Sequence, residues 1–411
     1  MKRRVVITGI GVLSCIGTGR EQYWDALFRG QTGFSPITLF DTSSFSVHDA
    51  GEINGFTPEE FLGKKGLREL DRSTRLVCSA AKLAIEDSGF VIDDTTTHRT
   101  GVSLGTTFGS LHSISQFDRV GLLEGPRFVN PSHFPNTVLN SPASRVSIRF
   151  HIKGFNTTIS TGFCSGIDAL SYGADFIRLQ RAAVVLAGSV EELCEEIFLS
   201  FDKLGYLSGA QGSPPLCCPF DARRNGIILS EGSAVLVLED SQHASDRGAE
   251  ILAVVKGYGN AFDPFPGRDF NQTGKGLQNA VAAALRDASL APSDIDYIAA
   301  GANSTKRLDR LETMVIKEIF GKNAFNIPVS SVKSMVGESF SASGGLSLAA
   351  AVGAIKNGII PPTVNYREED PECDLDCVPN EARHKDIRNA LILSSDPYGN
   401  NSAAVLGKYE R

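Results

Sequence analysis

The sequence lacks any continuous apolar run of the roughly 18 residues that a helix needs to cross a bilayer. The basic N-terminus, residues 1–4, is followed by an apolar stretch of only residues 5–10, which contains Gly9 and stops at Gly11. A stretch this short is typical of a first β-strand and not of a secretory signal. We therefore expect a cytoplasmic protein without a membrane span.

Patterns of metal and nucleotide binding are also missing. Cys373 and Cys377 have no histidine or second cysteine pair nearby that would complete a tetrahedral zinc site. Gly9 and Gly11 follow a predicted strand, but the third glycine and the acidic residue of a dinucleotide-binding fingerprint are not in place. A net charge of −7 and a pI of about 5.6 argue against nucleic acid or an anionic membrane as the main partner. We expect no metal and no cofactor.

The chain does contain a regular alternation of apolar, β-branched runs with helix-periodic segments. The predicted strands are residues 4–10, 182–190, 233–239, 251–258, 295–301, 390–395 and 403–407. The predicted helices are residues 75–88, 166–180, 274–288, 309–320 and 346–356. Most of the strands are continuous apolar runs, so we expect both of their faces to be covered, as in an α/β protein.

A chain of 411 residues is long enough for two domains or two fused halves. Residues 246–249 precede a predicted strand, which favours a boundary near residue 250 with an α/β half on each side. Residues 105–142 interrupt the alternation and contain four prolines and four phenylalanines. An irregular stretch of this length is usually functional or interfacial.

Several segments, in the right order along almost the whole chain, resemble the β-ketoacyl-ACP synthase II (ketosynthase) family of the thiolase superfamily. They are the opening run 4–14, Pro219-Phe220-Asp221 with Arg224 and Gly226, Glu231-Gly232, and the runs 330–337, 360–365 and 373–379. The family includes the ketosynthase and chain-length-factor subunits of type II polyketide systems.

The resemblance implies a thiolase-like α/β fold with a duplicated β-α-β-α-β-α-β core in five layers, α-β-α-β-α. Residues 1–250 would form the N-terminal half, with residues 105–142 as an insertion at the dimer face and acyl tunnel. Residues 251–411 would form the C-terminal half. The family is usually dimeric.

The family's chemistry requires a cysteine at a helix N-terminus, where backbone N–H groups lower the thiol pKa and hold an oxyanion. Its Thr-Ala-Cys-x-Ser-Gly motif corresponds to residues 161–166, which places Phe163 at the nucleophile position. Cys164 follows one residue later, which turns it about 100° around a helix. Cys164 is either a small packed residue or, as the alternative, a displaced nucleophile.

Two histidines of the family are also replaced. The resemblance places Gly301 at the first histidine position and Glu338 at the second. An ionised glutamate would repel a malonyl carboxylate and cannot donate a hydrogen bond. Lys333, Asp309 and Glu312 match retained family positions, and a buried lysine there needs a carboxylate partner. The condensation machinery is therefore expected to be absent, while its supporting residues remain.

The resemblance also implies residues that contact an acyl chain. Phe108 is one, and His133 and Phe134 lie in a segment that reaches across the family's dimer into the neighbouring tunnel. Tyr398 falls where the family has a gating phenylalanine, in a terminal loop that has lost most of its glycines. Simple interface packing is the alternative interpretation of residues 131–135.

Lys64, Lys65 and Arg68, with Arg72 nearby, match the region where the family docks acidic acyl-carrier protein (ACP). A solvated helix end would look the same in the sequence. The expected partners are ACP, whose phosphopantetheine carries the acyl groups, and either an active ketosynthase in a heterodimer or a second copy in a homodimer.

These features favour a non-condensing, chain-length-factor-like subunit that pairs with an active ketosynthase. The chain does not carry the glutamine that many chain-length factors have at the nucleophile position. A second hypothesis is an acyltransferase or thioesterase that acts on acyl-ACP through Cys164 near Glu338 or Lys333. A third is a homodimeric acyl-chain binder without turnover.

Overall fold

An eleven-stranded sheet runs through the computed structural model of the protein. The structure describes residues 3–210, 212–264 and 270–410, so residues 1 and 2 of the basic N-terminus lie outside the described residues. The strands are Val5–Ser14 (β1), Gly17–Thr18 (β2), Ser35–Pro36 (β3), Asp49–Ala50 (β4), Thr100–Gly105 (β5), Asn156–Ile159 (β6), Val184–Glu191 (β7), Gly232–Asp240 (β8), Ala253–Phe262 (β9), Tyr297–Ala299 (β10), Val329–Ser330 (β11), Ile359–Ile360 (β12), Arg383–His384 (β13), Asn389–Ser395 (β14) and Asn400–Gly407 (β15).

Helices cover the outer faces of this sheet and also lie between its two halves. They are Gly19–Phe28 (α1), Pro58–Leu62 (α2), Arg72–Ser88 (α3), Leu111–Leu123 (α4), Ser141–Arg149 (α5), Ser165–Arg178 (α6), Glu195–Lys203 (α7), Ser241–Asp246 (α8), Lys275–Ala288 (α9), Lys306–Phe320 (α10), Lys333–Val336 (α11) and Ser341–Asn357 (α12). Short 3₁₀ turns are Thr97–Arg99, Pro131–Thr137, Gly162–Cys164, Pro292–Asp294 and Gly321–Asn326. In the described ranges, no helix is both long and apolar enough to pass through a bilayer.

The order and directions of the strands repeat between the two halves of the chain. In the first half β6, β5 and β7 are parallel, and β8 and β1 follow in antiparallel pairing. In the second half β11, β10 and β14 are parallel, and β15 and β9 follow in the same antiparallel manner. Antiparallel pairing of β1 with β9 joins the two halves. The repetition is the duplication that the family resemblance predicts.

Five layers result from the packing of the helices on these strands. Helix α3 covers the outer face of β1 and β8, and α9 covers the outer face of β9 and β15 with α10 beside it. Helices α6 and α12 lie between the two halves, where α12 contacts both β7 and β14. Residues 341–355 of α12 are all buried, and they are mostly alanine, glycine, serine and leucine, which allow close packing on every side. The predicted α-β-α-β-α fold is therefore confirmed.

The predicted strands and helices all appear, with ends that shift by a few residues, but residues 105–142 differ from the prediction of an irregular stretch. This part contains α4, the 3₁₀ turn Pro131–Thr137 and the start of α5. The apolar residues of α4, Leu111, Ile114, Phe117 and Val120, follow one face of the helix at a spacing of three but are only half-buried, and they were not recognised as a helix among the prolines and phenylalanines of this stretch. Helix α1 and the short strand β5 were also not predicted.

Candidate functional site

The turn between β6 and α6 carries the position that corresponds to the family's nucleophile. Gly162 opens this turn with φ +58°, a conformation that glycine adopts without strain. Its carbonyl oxygen accepts hydrogen bonds from Thr107 Oγ1 at 3.0 Å and Ser165 Oγ at 2.6 Å. The 3₁₀ turn Gly162–Cys164 leads directly into α6, so the N–H of Phe163 lies at the positive end of the helix dipole.

The side chain of Phe163 is buried among other phenylalanines. Its ring centroid lies 4.9 Å from that of Phe340. Phe340 in turn lies 4.9 Å from Phe201 and 5.1 Å from Phe108. We call these four residues the aromatic cluster; Phe201 and Phe340 were not identified from the sequence. A packed ring therefore stands at the position where the sequence resemblance places the family's reactive thiol.

Cys164 points to a different neighbour. Its side chain is fully buried, and its Sγ donates a hydrogen bond to the carbonyl oxygen of Ser394 at 3.3 Å. Burial, followed by the carboxylates of Asp396 and Asp168, raises the pKa of the Cys164 thiol well above its ordinary value. A thiol in these surroundings stays protonated at neutral pH and is a weak nucleophile.

Gly301, at the first histidine position, follows β10 and is tightly enclosed. A Cβ atom added at Gly301 would lie 2.9 Å from Glu312 Oε1 and 3.0 Å from the carbonyl oxygen of Leu393. The Gly301 N–H donates to the same Glu312 Oε1 atom at 2.9 Å. Burial raises the pKa of Glu312 to about 8, and its Oε2 atom has no hydrogen-bond partner among the described residues. Glu312 is therefore largely protonated at neutral pH.

Glu338, at the second histidine position, is buried and fully paired. Its Oε2 atom accepts from Lys333 Nζ at 2.8 Å and from Asn303 Nδ2 at 2.9 Å. Its Oε1 atom accepts from the N–H of Phe340 at 3.0 Å and from Ser343 Oγ at 2.9 Å. Lys333 thus has the carboxylate partner that its burial requires, and that partner is the residue that replaces the family's histidine.

Asp309 joins the segment after Pro219 to the first turn of α10. Its carboxylate is fully buried and accepts hydrogen bonds from the N–H groups of Phe220 and Asn303 at 2.9 and 3.0 Å. Arg224 Nε lies 3.6 Å from Asp309 Oδ2. Burial raises the pKa of Asp309 to about 6, and the positive charge of Arg224 opposes this rise. These contacts support the interpretation that Asp309 holds the architecture together.

The terminal loop between β14 and β15 brings Asp396 to the nucleophile turn, although the sequence analysis singled out Tyr398. The Asp396 carboxylate is buried and faces the N–H of Phe163, which opposes the rise in the pKa of Asp396 that burial causes. Tyr398 is 57% exposed. Asp396 was not identified from the sequence, although an acidic residue directly after the predicted strand 390–395 is a signal that could have found it. The gating role of Tyr398 stays a prediction.

Lys64, Lys65 and Arg68 are exposed in the turn between α2 and α3, and we call them the basic cluster. Within the described residues none of the three forms an ion pair. Arg72, expected close to them, turns inward instead, and its Nε donates to Glu231 Oε2 at 2.6 Å. The surface cluster therefore consists of three positive charges without Arg72.

His133 and Phe134 lie on the 3₁₀ turn Pro131–Thr137 and are both exposed. His133 lines a groove of ≈ 410 Å³ between this turn and α4, together with Phe117 and Phe128. Phe134 is 59% exposed, and its ring centroid lies 6.2 Å from that of Phe117. The structure therefore separates these two residues from the aromatic cluster, while it places Phe108 within that cluster.

The chemistry that these side chains permit is limited. No imidazole stands at either histidine position, and the thiol at residue 164 is buried and protonated. The carboxylate of Glu338 is paired with Lys333, and the N–H of Phe163 faces the carboxylate of Asp396. Among the described residues, no activated thiol stands at this turn, and neither predicted histidine position offers an imidazole as a hydrogen-bond donor.

Comparison with known families gives matches along most of the chain. Residues 2–244 match the model of the N-terminal domain of beta-ketoacyl synthases. Residues 252–367 match the model of the C-terminal domain of the same enzymes.

Curated proteins of similar sequence include both fatty acid and polyketide synthases. The chain is 36% identical over 409 residues to 3-oxoacyl-[acyl-carrier-protein] synthase 2 of Coxiella burnetii, covering 99% of each sequence. It is 38% identical over 417 residues to the tetracenomycin polyketide synthase ketoacyl synthase alpha subunit of Streptomyces glaucescens, covering 99% of this chain and 97% of the relative.

Solved structures of similar fold include a ketosynthase/chain length factor. A chain of the ishigamide ketosynthase/chain length factor superposes with a TM-score of 0.93 at 34% identity, covering 100% of both chains. A chain from a type II polyketide synthase acyl-carrier protein in complex with its ketosynthase superposes with a TM-score of 0.92 at 30% identity, again over 100% of both chains.

Proposed function

The chain belongs to the β-ketoacyl synthase family, and from that premise we propose that it is a non-condensing, chain-length-factor-like subunit that pairs with an active ketosynthase. The observation that carries the proposal is the simultaneous replacement of all three condensing residues by Phe163, Gly301 and Glu338. Each replacement is packed or hydrogen-bonded into its surroundings. The altered site is thus a stable arrangement of its own.

Condensation needs a thiolate to hold the acyl chain and donors to stabilise the enolate that forms when malonyl-ACP loses carbon dioxide. Phe163 has no group that can form a thioester. Gly301 supplies only its N–H, which is bonded to Glu312. Glu338 presents a carboxylate whose charge is matched to Lys333 and has no hydrogen to donate.

A role in setting product length is supported by the packing at the nucleophile turn. The aromatic cluster occupies space beside Phe163, so this subunit offers bulky rings in place of a reactive thiol. In a heterodimer these rings, Phe108 among them, would limit the space open to a growing acyl chain.

Two structural relatives are a ketosynthase/chain length factor and a ketosynthase in complex with acyl-carrier protein, and we extend both kinds of partner to this chain.

The surface provides regions suited to both partners. The basic cluster is exposed and complements an acidic ACP. The groove beside α4, where Phe128 is 69% exposed, and the neighbouring Phe134, which is 59% exposed, form an apolar surface that suits contact with the ketosynthase. Acyl transfer through Cys164 is the less favoured function, because its thiol is fully buried and protonated.

Finding an intact ketosynthase encoded beside this chain, and co-expressing the two, tests the proposal. We expect the two subunits to co-purify in equal amounts and to form β-ketoacyl-ACP from acyl-ACP and malonyl-ACP only together. Replacing the nucleophilic cysteine of the ketosynthase should abolish product, while Cys164→Ala in this chain should leave the rate unchanged. Formation of β-ketoacyl product by this chain alone would contradict the proposal.

A further inference from the structure

Asp396 places a buried negative charge at the nucleophile turn. Its side chain is 2% exposed, and its Oδ1 atom accepts from the N–H groups of Tyr398 at 2.9 Å and Asn400 at 3.0 Å. Its Oδ2 atom accepts from Asn400 Nδ2 at 2.8 Å. The carboxylate also faces the N–H of Phe163. Its hydrogen-bond partners belong to the loop itself, while its Oδ2 atom is also directed at the turn before α6.

This carboxylate lies beside the start of α6, where a negative charge is favoured. Backbone N–H groups at the start of a helix are directed at anions, and the helix dipole favours negative charge there. Asp396 Oδ2 lies so close to Gly162 that a Cβ atom added to the glycine would be 1.9 Å from it. The carboxylate therefore lies against the turn at Gly162 and faces the N–H of Phe163, the residue at the predicted nucleophile position.

We propose that Asp396 is an internal anion that occupies the oxyanion position of this subunit and excludes a thioester carbonyl from it. The inference rests on the proposed function and deepens it, because it names the residue that keeps acyl groups out of the degenerate site. A thioester carbonyl can accept from the Phe163 N–H only if the carboxylate leaves. The carboxylate would have to give up its other hydrogen bonds in a buried site.

If Asp396 only held the loop between β14 and β15, its carboxylate would need contacts only within that loop. The bonds to Tyr398 and Asn400 lie within the loop, and the approach to Gly162 and the N–H of Phe163 adds a contact with another element. The same carboxylate helps to raise the pKa of the neighbouring Cys164 thiol. The charge thus suppresses both parts of acyl transfer, the thiolate and the oxyanion contact.

The test introduces a thiol at the predicted nucleophile position and replaces Asp396, which lies next to it, by other residues. Phe163→Cys is made in a Cys164→Ala background of the full chain and combined with native Asp396, Asp396→Asn or Asp396→Ala. The Sγ of a cysteine lies about 3 Å from its own nitrogen, so the new thiol is within a few ångströms of the Asp396 carboxylate. Asp396→Asn keeps an oxygen on the Phe163 N–H but removes the charge, and Asp396→Ala removes both.

Two reactions are followed by mass spectrometry of the peptide that carries the Phe163→Cys substitution. Alkylation by iodoacetamide reports the thiolate. Acylation by octanoyl-pantetheine reports the oxyanion contact: the thiolate attacks the thioester carbonyl, a new carbon–sulfur bond forms, and pantetheine leaves as a thiolate that takes up a proton. Thermal melting of each variant checks that it is folded.

With native Asp396 we expect slow alkylation and no acylation. Asp396→Asn should raise the alkylation rate at pH 8 by about tenfold or more, because a like charge within a few ångströms disfavours the thiolate, and should still give no acylation. Asp396→Ala should give both fast alkylation and acylation. Acylation with native Asp396, or no rise in alkylation in a folded Asp396→Asn variant, would overturn the inference.

Failure of this inference and failure of the proposed function are distinct results. The proposed function fails when the native chain alone condenses or becomes acylated at Cys164, and no Asp396 variant is needed to see it. The inference fails within the Phe163→Cys series even when the native chain stays inert. If Asp396→Ala does not fold, the alkylation of Asp396→Asn alone decides.

Discussion

The buried ion pair between Lys333 and Glu338 gives a sharp quantitative prediction, because both side chains are almost completely removed from water. The side chain of Lys333 is 5% exposed and that of Glu338 is 1% exposed, with 2.8 Å between Nζ and Oε2. Glu338→Gln keeps the size of the side chain and an oxygen that can accept from Phe340 and Ser343. It removes the charge that compensates the ammonium group.

Removing one partner of a buried pair costs about 3–5 kcal/mol, because it leaves an uncompensated charge. The hydrogen bonds that glutamine can keep favour the lower end, so we expect Glu338→Gln to lower the free energy of unfolding by about 3 kcal/mol. Replacing both residues, Lys333→Met with Glu338→Gln, leaves no charge behind. The double variant should therefore lie within about 1 kcal/mol of the native protein.

Urea denaturation followed by circular dichroism measures these differences, provided that the m-value stays constant. The matched control is Glu86→Gln, which breaks the exposed pair of Lys82 with Glu86, whose side chains are 39% and 57% exposed. That change should cost less than about 1 kcal/mol. A loss in Glu338→Gln no larger than in this control would refute the assignment of a buried, charged pair.

Three further predictions follow from the site. Phe163→Cys should not restore condensation, since Gly301 and Glu338 remain, and β-ketoacyl product detected by mass spectrometry would refute our account of the histidine positions. Between about pH 4.5 and 8 the native state holds a proton on Glu312 that the unfolded state has lost, so the free energy of unfolding should fall as pH rises through this window. Urea denaturation midpoints measured across this range should show that fall in the native protein and a smaller fall in Glu312→Gln. Reversing the charges of the basic cluster should weaken ACP binding by at least about tenfold in low-salt calorimetry, and this difference should shrink at high salt. An unchanged affinity would show that the basic cluster takes no part in ACP binding.

Much of the fold could be predicted from the sequence because its strands are buried on both faces. Runs such as residues 182–190 and 233–239 are mostly apolar and correspond to β7 and β8 within one or two residues. Helix α4 was not predicted in the same way: its apolar stripe, Leu111, Ile114, Phe117 and Val120, is only half-buried and stands in a stretch rich in proline and phenylalanine.

The residues of the candidate site could be predicted where they lie within a sequence motif of the family. They were harder to predict where they depend on contacts between residues far apart in the sequence. Phe163 and Gly301 follow from the order of motif residues alone. The pairing of Lys333 with Glu338 also required knowing that Gly337 turns the chain back, with φ +77°, so that residues five apart meet. Asp396 is more than 230 residues from Phe163 in the sequence, and only the packing of the two halves brings them together.

The central claim is that this chain takes no acyl group and condenses nothing by itself. Intact-protein mass spectrometry after incubation with a panel of acyl-ACP thioesters tests it most directly, with Cys164→Ala as the control. We predict no mass increase from any donor in either protein. A gain of one acyl group in the native chain that is absent from Cys164→Ala would make Cys164 a working nucleophile and contradict the account.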